Sequence, residues 1–285
     1  MSILYVRKKI IRRISMARKS FEELNFADDG MFQAVMKNPV ASAELVERLL
    51  GVRVKSVKYP KLEKKIAPYY ATKGVRLDVY LKDEDKIIDV ELQTYRMDAL
   101  GKRTRYYQSM VDIDSLMKGD DYSELKESYI LFICKFDPFM DKNERPHGLY
   151  RYTFRNVCEE NNSVNLDDKC LKMVYNASAY EKAEDPKVRA LLKFIQTNDP
   201  GEDTFAKQLE DFVLKARKNE RFKREYLAMN LHDRDMIRKG RKEGAIETAR
   251  NLLAMNVLTP EQIAQGTGLP LEQVLELQKE LAPAQ

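Results

Sequence analysis

Two acidic residues and one amide lie in a stretch whose pattern predicts a β-hairpin. Asp78 belongs to the run R-L-D-V-Y-L at residues 76–81, and Glu91 and Gln93 belong to D-V-E-L-Q at residues 89–93. Two carboxylates held close together repel each other unless a cation lies between them, so their proximity favours metal binding. A divalent cation there would acidify a water molecule and neutralise a phosphorane, which is what phosphodiester cleavage requires.

The register of this predicted hairpin follows from its turn. The apolar residues that alternate with polar ones are Val75, Leu77, Val79 and Leu81 before the turn, and Ile88, Val90 and Leu92 after it. If residues 83–86 form the loop, Lys82 faces Ile87, and counting outward sets Asp78 opposite Glu91. The two carboxylates then share one face of the hairpin.

The spacing of such strands suits one metal ion. Neighbouring strands lie about 4.8 Å apart, and magnesium binds oxygen at about 2.1 Å, so Asp78 and Glu91 can reach the same ion. Gln93 and Asp89 fall on the same face, Asp89 either as an outer ligand or as a solvated residue. The alternative is that the whole hairpin edge is solvated and its charges are ordinary surface charges.

Composition narrows the possible chemistry. With 44% hydrophobic and 33% charged residues among 285, the chain is predicted to be globular and soluble, without a membrane span. The three cysteines lack metal-binding or disulfide spacing, which favours a reducing compartment and a cytoplasmic location. Only two histidines are present, so metal binding must rest on carboxylates, which suit Mg²⁺ or Mn²⁺.

The positive charge of the chain is local. Residues 1–26 contain seven Lys or Arg and two Glu, which accounts for the whole net charge of +5. We interpret residues 1–25 as a basic N-terminal extension and expect any DNA-binding surface to be a local cluster. The candidates that follow the second strand are Arg96, Lys102, Arg103 and Arg105, with Tyr106 and Tyr107 between them. The alternative for this cluster is a solvated helix face.

Around the hairpin, helical and strand-like patterns alternate, which predicts an α/β or α+β fold. Two short helices separated by Pro39 are expected within residues 32–50, a helix at 102–118, and strands at 129–136 and 148–154. Glu44 and Glu47 of the early helix could add a carboxylate to the site, but surface placement is favoured. After Pro186 the chain is predicted to be helical, with breaks at residues 200–201 and 232–240.

The last segment resembles a short helix-turn-helix that begins at Thr259 and Pro260. From residue 259 onward there are four acidic residues and one lysine, the wrong sign for a helix that reads DNA. We therefore expect packing or homo-oligomerisation through its apolar residues, which are Leu269, Leu271, Val274, Leu275 and Leu277. The predicted divisions are a core at 26–180, a helical extension at 181–235 and C-terminal helices at 236–285.

Several runs together resemble one known family. Besides the two hairpin runs, these are K-R-T-R-Y-Y-Q (102–108), G-D-D-Y-S-E-L-K (119–126) and I-L-F-I-C-K-F-D-P-F (130–139). They resemble the PD-(D/E)XK nuclease family transposases, the Rpn-type recombination-promoting nucleases, over roughly residues 25–235. The resemblance implies a restriction-endonuclease-like mixed sheet flanked by helices and magnesium-dependent DNA endonuclease activity, linked to recombination, transposon-like mobility or phage defence.

The resemblance also implies roles for individual residues. Asp78 takes the place of the first acidic ligand, Glu91 that of the second, and Gln93 that of the E-x-K lysine, where this group commonly has Gln. The chain departs from the family's D-x-x-F-K pattern at Gln33, so a basic contact is expected to be missing. Two alternatives to an active nuclease are a catalytically weak DNA-binding or assembly protein, and a DDE-type transposase, which the hairpin pairing disfavours.

Overall fold

The computed structural model describes residues 19–54, 61–66, 75–83, 85–96, 98–255 and 257–281. Residues 1–18 of the predicted N-terminal extension lie outside this part. The chain divides into two compact units, one up to Phe222 and one from Lys223 onward. No helix in the described ranges is both long enough and apolar enough to cross a bilayer.

The first unit is built on a mixed sheet of six strands. The strands are β1 (Lys61–Ile66), β2 (Val75–Lys82), β3 (Lys86–Gln93), β4 (Glu127–Cys134), β5 (Arg151–Phe154) and β6 (Cys170–Asn176). Their order across the sheet is β1-β2-β3-β4-β6-β5. The central pairs β3–β4 and β4–β6 are parallel, and the outer pairs are antiparallel.

Helices cover both faces of this sheet. The helices of the first unit are α1 (Asp29–Met36), α2 (Pro39–Leu50), α3 (Leu100–Ser115), α4 (Pro186–Thr197) and α5 (Thr204–Arg217). Met110 and Val111 of α3 pack with Phe132 and Val174 on one face. The next residue of β6, Tyr175, points to the other face, where its hydroxyl donates to the carbonyl of Leu49 in α2. The predicted mixed sheet flanked by helices is therefore confirmed.

Local sequence signals set the ends of the early helices. The side-chain oxygen of Asn38 accepts hydrogen bonds from the amides of Val40 and Ala41, at 2.9 and 3.3 Å. Pro39, at the first position of α2, needs no amide donor and has a backbone angle suited to a helix. Gly51 ends α2 with φ of 69°, which a residue without Cβ adopts readily. The predicted pair of helices is confirmed, with Pro39 opening the second.

The predicted strands are confirmed with shifted ends. The strand predicted at residues 129–136 is β4 (Glu127–Cys134), and the one predicted at 148–154 is the shorter β5 (Arg151–Phe154). The prediction omitted β6, which pairs in parallel with β4 and in antiparallel orientation with β5. Its sequence, C-L-K-M-V-Y-N, has no regular alternation, because its second half is buried on both faces of the sheet.

The second unit comprises the C-terminal helices. Helix α6 spans Glu220–Met255 and is followed by α7 (Pro260–Thr267) and α8 (Leu271–Leu281). The predicted break at residues 232–240 is wrong, because the backbone is helical throughout that stretch. A glycine inside a helix costs only about 1 kcal/mol relative to alanine, and Gly240 and Gly244 lie among strong helix formers.

A small apolar core holds the C-terminal helices together. Its buried members are Ala249, Ile263, Leu269, Val274 and Leu277. Thr259 and Gln262 form the reciprocal capping box that starts α7, as the threonine–proline pair predicted. Leu271 and Leu275 are each 38% exposed, so their role in homo-oligomerisation stays a prediction.

Candidate active site

The hairpin of β2 and β3 forms the floor of the candidate site. Lys82 lies opposite Ile87, which confirms the predicted register, and the described pairing continues to Val79 opposite Val90. The turn closes with the amide of Asp83 donating to the carbonyl of Lys86 at 2.9 Å. Because the register is confirmed, Asp78 comes from the first strand of the hairpin and Glu91 from the second, as the sequence predicted.

Asp78 and Glu91 are joined through backbone amides. The amide of Asp78 donates to Oε1 of Glu91 at 2.8 Å, and the amide of Leu92 donates to Oδ2 of Asp78 at 3.3 Å. Each carboxylate thus accepts a hydrogen bond from the opposite strand. This cross-strand arrangement brings the two side chains into one cluster, where they interact electrostatically.

Helix α1 contributes an amide to the same cluster. Nε2 of Gln33 donates to Oδ1 of Asp78 at 3.2 Å, and the Gln33 side chain is buried. Gln33 stands where the D-x-x-F-K pattern has a lysine. In the structure, the glutamine orients Asp78 by a neutral hydrogen bond and leaves its negative charge in place.

Glu91 is buried at the centre of the acidic cluster. Its exposed fraction is 3%, and burial raises its pKa well above its ordinary value. The negative charges of Asp89 and then Asp78 raise the pKa further, while the hydrogen bond from the Asp78 amide and the charge of Arg103 oppose the shift. A buried carboxylate of this kind binds either a proton or a cation.

Asp89 is the most deeply buried acid of the hairpin. It is 0% exposed, and neither of its carboxylate oxygens has a hydrogen-bond partner among the described residues. Burial raises its pKa well above its ordinary value, the charge of Asp78 raises it further, and Arg103 lowers it. Of the two roles that the sequence left open for Asp89, the solvated one is wrong, because α3 packs over this face of the sheet and β4 pairs beside β3 within the sheet. The reading of the hairpin edge as solvated fails for the same reason.

Arg103 of α3 brings positive charge to the cluster. Its Nη1 donates to Oε1 of Gln93 at 2.9 Å, and its Nη2 lies 3.9 Å from Oε2 of Glu91. Nη2 also donates to the hydroxyl of Tyr107 at 3.3 Å, and the guanidinium lies 5.4 Å from the ring centroid of Phe132. Sequence reasoning assigned Arg103 to a DNA-binding surface and missed its contacts with Gln93 and Glu91.

Gln93 is held between two groups. It accepts from Arg103, and its own Nε2 donates to the carbonyl of Leu92 at 3.2 Å. The amide is therefore oriented from both ends. It cannot carry the charge that a lysine would supply, but the guanidinium that contacts it is charged at any physiological pH.

The predicted DNA-facing residues separate into two groups. Arg103 and Tyr107, one helical turn apart on α3, point into the cluster, and the Tyr107 ring packs against Phe132 with centroids 5.9 Å apart. Lys102 and Arg105 are exposed on α3, and Arg96 is exposed just before it. These exposed basic side chains are accessible to a large partner.

The two early glutamates lie outside the cluster. Glu44 pairs with Nε of Arg48 at 2.8 Å, and Glu47 accepts from the amide of Val54 at 2.8 Å. Arg48 also pairs with Asp203 at 2.9 Å, which ties α2 to the start of α5. Their contacts are structural, in line with the favoured surface placement.

The donor set of the cluster matches hard divalent cations. Asp78 and Glu91 offer carboxylate oxygens, and Asp89 adds further negative charge beside them, while Arg103 is the cation identified within the cluster. In the described part of the chain, no group of three or more His, Cys, Asp or Glu has a metal-binding arrangement. A cation here would be held by the carboxylates of Asp78 and Glu91.

Comparison with protein-family models gives a match. Residues 36–239 match the family model described as PD-(D/E)XK nuclease family transposase. This range contains Asp78, Glu91, Gln93 and Arg103, and it leaves out Gln33 and the last two helices. No curated protein matches the chain. No solved structure matches it either.

Proposed function

The chain belongs to the PD-(D/E)XK nuclease family transposases, and on that premise we propose that it is a Mg²⁺- or Mn²⁺-dependent endonuclease that hydrolyses phosphodiester bonds in DNA. The family itself supports a nuclease-like or transposition-related function. The finer proposal rests on one observation, the cross-strand joining of Asp78 and Glu91 within a buried acidic cluster. We place this activity in recombination, DNA mobility or phage defence.

The acidic residues have a binding role in this proposal. Asp78 and Glu91 hold the cation, with Gln33 and the amides of Asp78 and Leu92 fixing their oxygens. When bound, a divalent cation supplies charge neutralisation at the phosphate and a water that is acidic near neutral pH. In the absence of the cation, burial and mutual repulsion raise the pKa values of Asp89 and Glu91, so that protons compete for the same oxygens.

Gln93 and Arg103 share the role of the lysine of the E-x-K pattern, whose place Gln93 takes. Gln93 orients groups by hydrogen bonding, and Arg103 supplies the permanent positive charge that stabilises negative charge at the phosphate. The two are in direct contact, so the guanidinium lies next to the place from which a lysine would act. This division of roles supports turnover despite the neutral side chain of Gln93.

The exposed basic residues beside the cluster would contact the DNA backbone. Arg96, Lys102 and Arg105 are all exposed and lie within ten residues of each other at and before the start of α3. Backbone phosphates are recognised by such groups without regard to base sequence. We therefore assign them to non-specific DNA positioning, and Arg103 and Tyr107 to the site itself.

A plasmid assay tests the proposal. Supercoiled plasmid is incubated with purified protein and Mg²⁺ or Mn²⁺, and nicked and linear products are separated on a gel. Nicking by the wild type that Asp78→Asn and Glu91→Gln both abolish supports the nuclease. The matched control is Asp85→Asn, which removes an acid exposed in the turn of the same hairpin and should keep full activity.

The same assay separates the alternative function. Plasmid binding without nicking at any metal concentration favours a DNA-binding or assembly protein that keeps the nuclease fold. Nicking that survives in both Asp78→Asn and Glu91→Gln would contradict the proposed site.

A further inference from the structure

A depression adjoins the acidic cluster on the side of α3. Its volume is about 310 Å³, and its lining includes Gln93 and Arg103. Arg103 contacts both Gln93 and Glu91 of the cluster. Ligand pockets begin at roughly 300 Å³, so the occupant that fits is one small unit. Because two residues belong to both places, anything bound in the depression lies next to the candidate site.

One part of the lining is cationic. Arg96 and Arg103 both line the depression, and Asp98 is the one acid among the described residues that line it. The Arg96 guanidinium lies 5.4 Å from the ring centroid of Phe136, a stacking contact that holds it at the rim while its side chain stays exposed. Two guanidiniums on one small cavity suit a phosphate, which they bind with fixed, planar donors.

The other part of the lining is apolar. Phe136, Pro138 and Phe139 follow β4, and Leu100 begins α3 across from them. Phe136 and Phe139 are half-buried, and Phe139 is supported from behind by Tyr152, with ring centroids 4.6 Å apart. Apolar and aromatic walls of this kind pack against nucleobases, which stack on aromatic side chains whatever their sequence.

We propose that this depression binds one nucleotide of the substrate strand beside the cleaved phosphate, with its phosphate on Arg96 and Arg103 and its base against Phe136 and Phe139. The inference rests on the proposed function for its place beside the reaction. A ligand with a phosphate at one end and a flat apolar ring at the other matches the two halves of the lining. An isolated inorganic anion would make no contact with the aromatic half of the lining.

Binding of a short labelled single-stranded oligonucleotide in EDTA tests the inference without cleavage. Fluorescence anisotropy compares an intact oligonucleotide with one in which abasic sites replace the bases. Arg96→Gln should weaken binding of both by roughly fivefold and reduce the slope of log K against log salt by about 0.7. Phe139→Leu should weaken binding of the intact strand by roughly tenfold and leave the abasic strand unchanged.

The control is Lys187→Gln, which removes an exposed cation of α4 that does not line the depression. Phe139 also contacts Phe154, so Arg96→Gln, an exposed change, decides the matter if the phenylalanine variant does not fold. Wild-type affinity in Arg96→Gln, or equal loss for intact and abasic strands in a folded Phe139→Leu, overturns the subsite. A wild type that shows the expected binding pattern but never nicks plasmid overturns the nuclease and leaves the subsite standing.

Discussion

Replacing Arg103 with methionine should change metal binding and DNA cleavage in opposite directions. The substitution keeps much of the apolar stem against Phe132 and Tyr107 but removes the charge. Nη2 of Arg103 lies 3.9 Å from Oε2 of Glu91, with side-chain exposures of 21% and 4%. At an effective dielectric constant of about 20, two unit charges at that separation interact by about 4 kcal/mol before desolvation is subtracted.

The positive charge of Arg103 disfavours a bound cation in the cluster, because the cation and the guanidinium would repel each other. If the repulsion between Arg103 and the cation is about a third of this roughly 4 kcal/mol, the Arg103→Met variant should bind Mn²⁺ about tenfold more tightly. The same change removes a charged donor from the reacting phosphate. Loss of one such donor slows reactions by about 100-fold, so plasmid nicking should fall by about that factor.

Isothermal titration calorimetry with Mn²⁺ and the plasmid assay measure the two effects. Lys187→Met is the control, since it removes an exposed positive charge of α4 to which no DNA contact is assigned, and it should change neither quantity greatly. Gln93→Lys in the Arg103→Met background should recover at least tenfold in nicking rate, because it returns the charge to the neighbouring position. Thermal unfolding shows whether each variant is folded.

Two results would refute this reasoning. Weaker Mn²⁺ binding in a folded Arg103→Met would mean that the guanidinium supports the carboxylates and does not compete with the cation. Unchanged nicking with tighter metal binding would mean that Arg103 acts on the acids alone and has no role at the phosphate.

Four predictions concern stability, measured as the free energy of unfolding in EDTA. Since the raised pKa values of Asp89 and Glu91 make the folded state bind protons more tightly than the unfolded chain, the stability that these two groups contribute should be complete below about pH 4 and be lost as pH rises through their folded pKa values. Asp89→Leu should raise stability at pH 7 by about 1–3 kcal/mol and flatten this fall, and a destabilised variant contradicts it. Arg48→Met should cost about 3 kcal/mol, because it leaves Asp203 without its buried partner, and a loss below 1 kcal/mol refutes that role. Asn38→Ala should cost about 1 kcal/mol through loss of the α2 cap, whereas a neutral effect would show that the cap is dispensable.

The hairpin could be predicted from sequence because its determinants are local. Alternation of apolar residues defines each strand, and the polar turn between them defines the register, so Lys82 was correctly placed opposite Ile87. The early helices were predictable for the same reason, because Asn38 and Pro39 act within their own turn. Interactions that span a few residues leave their pattern in the sequence.

Gln33 and Arg103 could not be assigned to the site in this way. Gln33 reaches Asp78 from 45 residues away, and Arg103 reaches Gln93 from a helix whose rotation relative to the sheet is set by packing. A run such as K-R-T-R-Y-Y-Q shows basic residues but not which of them points inward. That choice depends on the apolar face of α3, where Met110 and Val111 meet the sheet.

The burial of Asp89 also separates what the sequence determines from what only packing determines. Residue types and spacing alone determined that an acidic hairpin exists, which strands carry it, and that carboxylates rather than imidazoles or thiols are its available donors. Only the tertiary structure decided that α3 packs over it and the parallel strand β4 pairs beside it, that Asp89 loses its solvent, and that an arginine supplies the charge beside Gln93. The reason is physical: strand pairing and turns are fixed by neighbours in the chain, whereas desolvation and charge complementarity depend on segments brought together by packing.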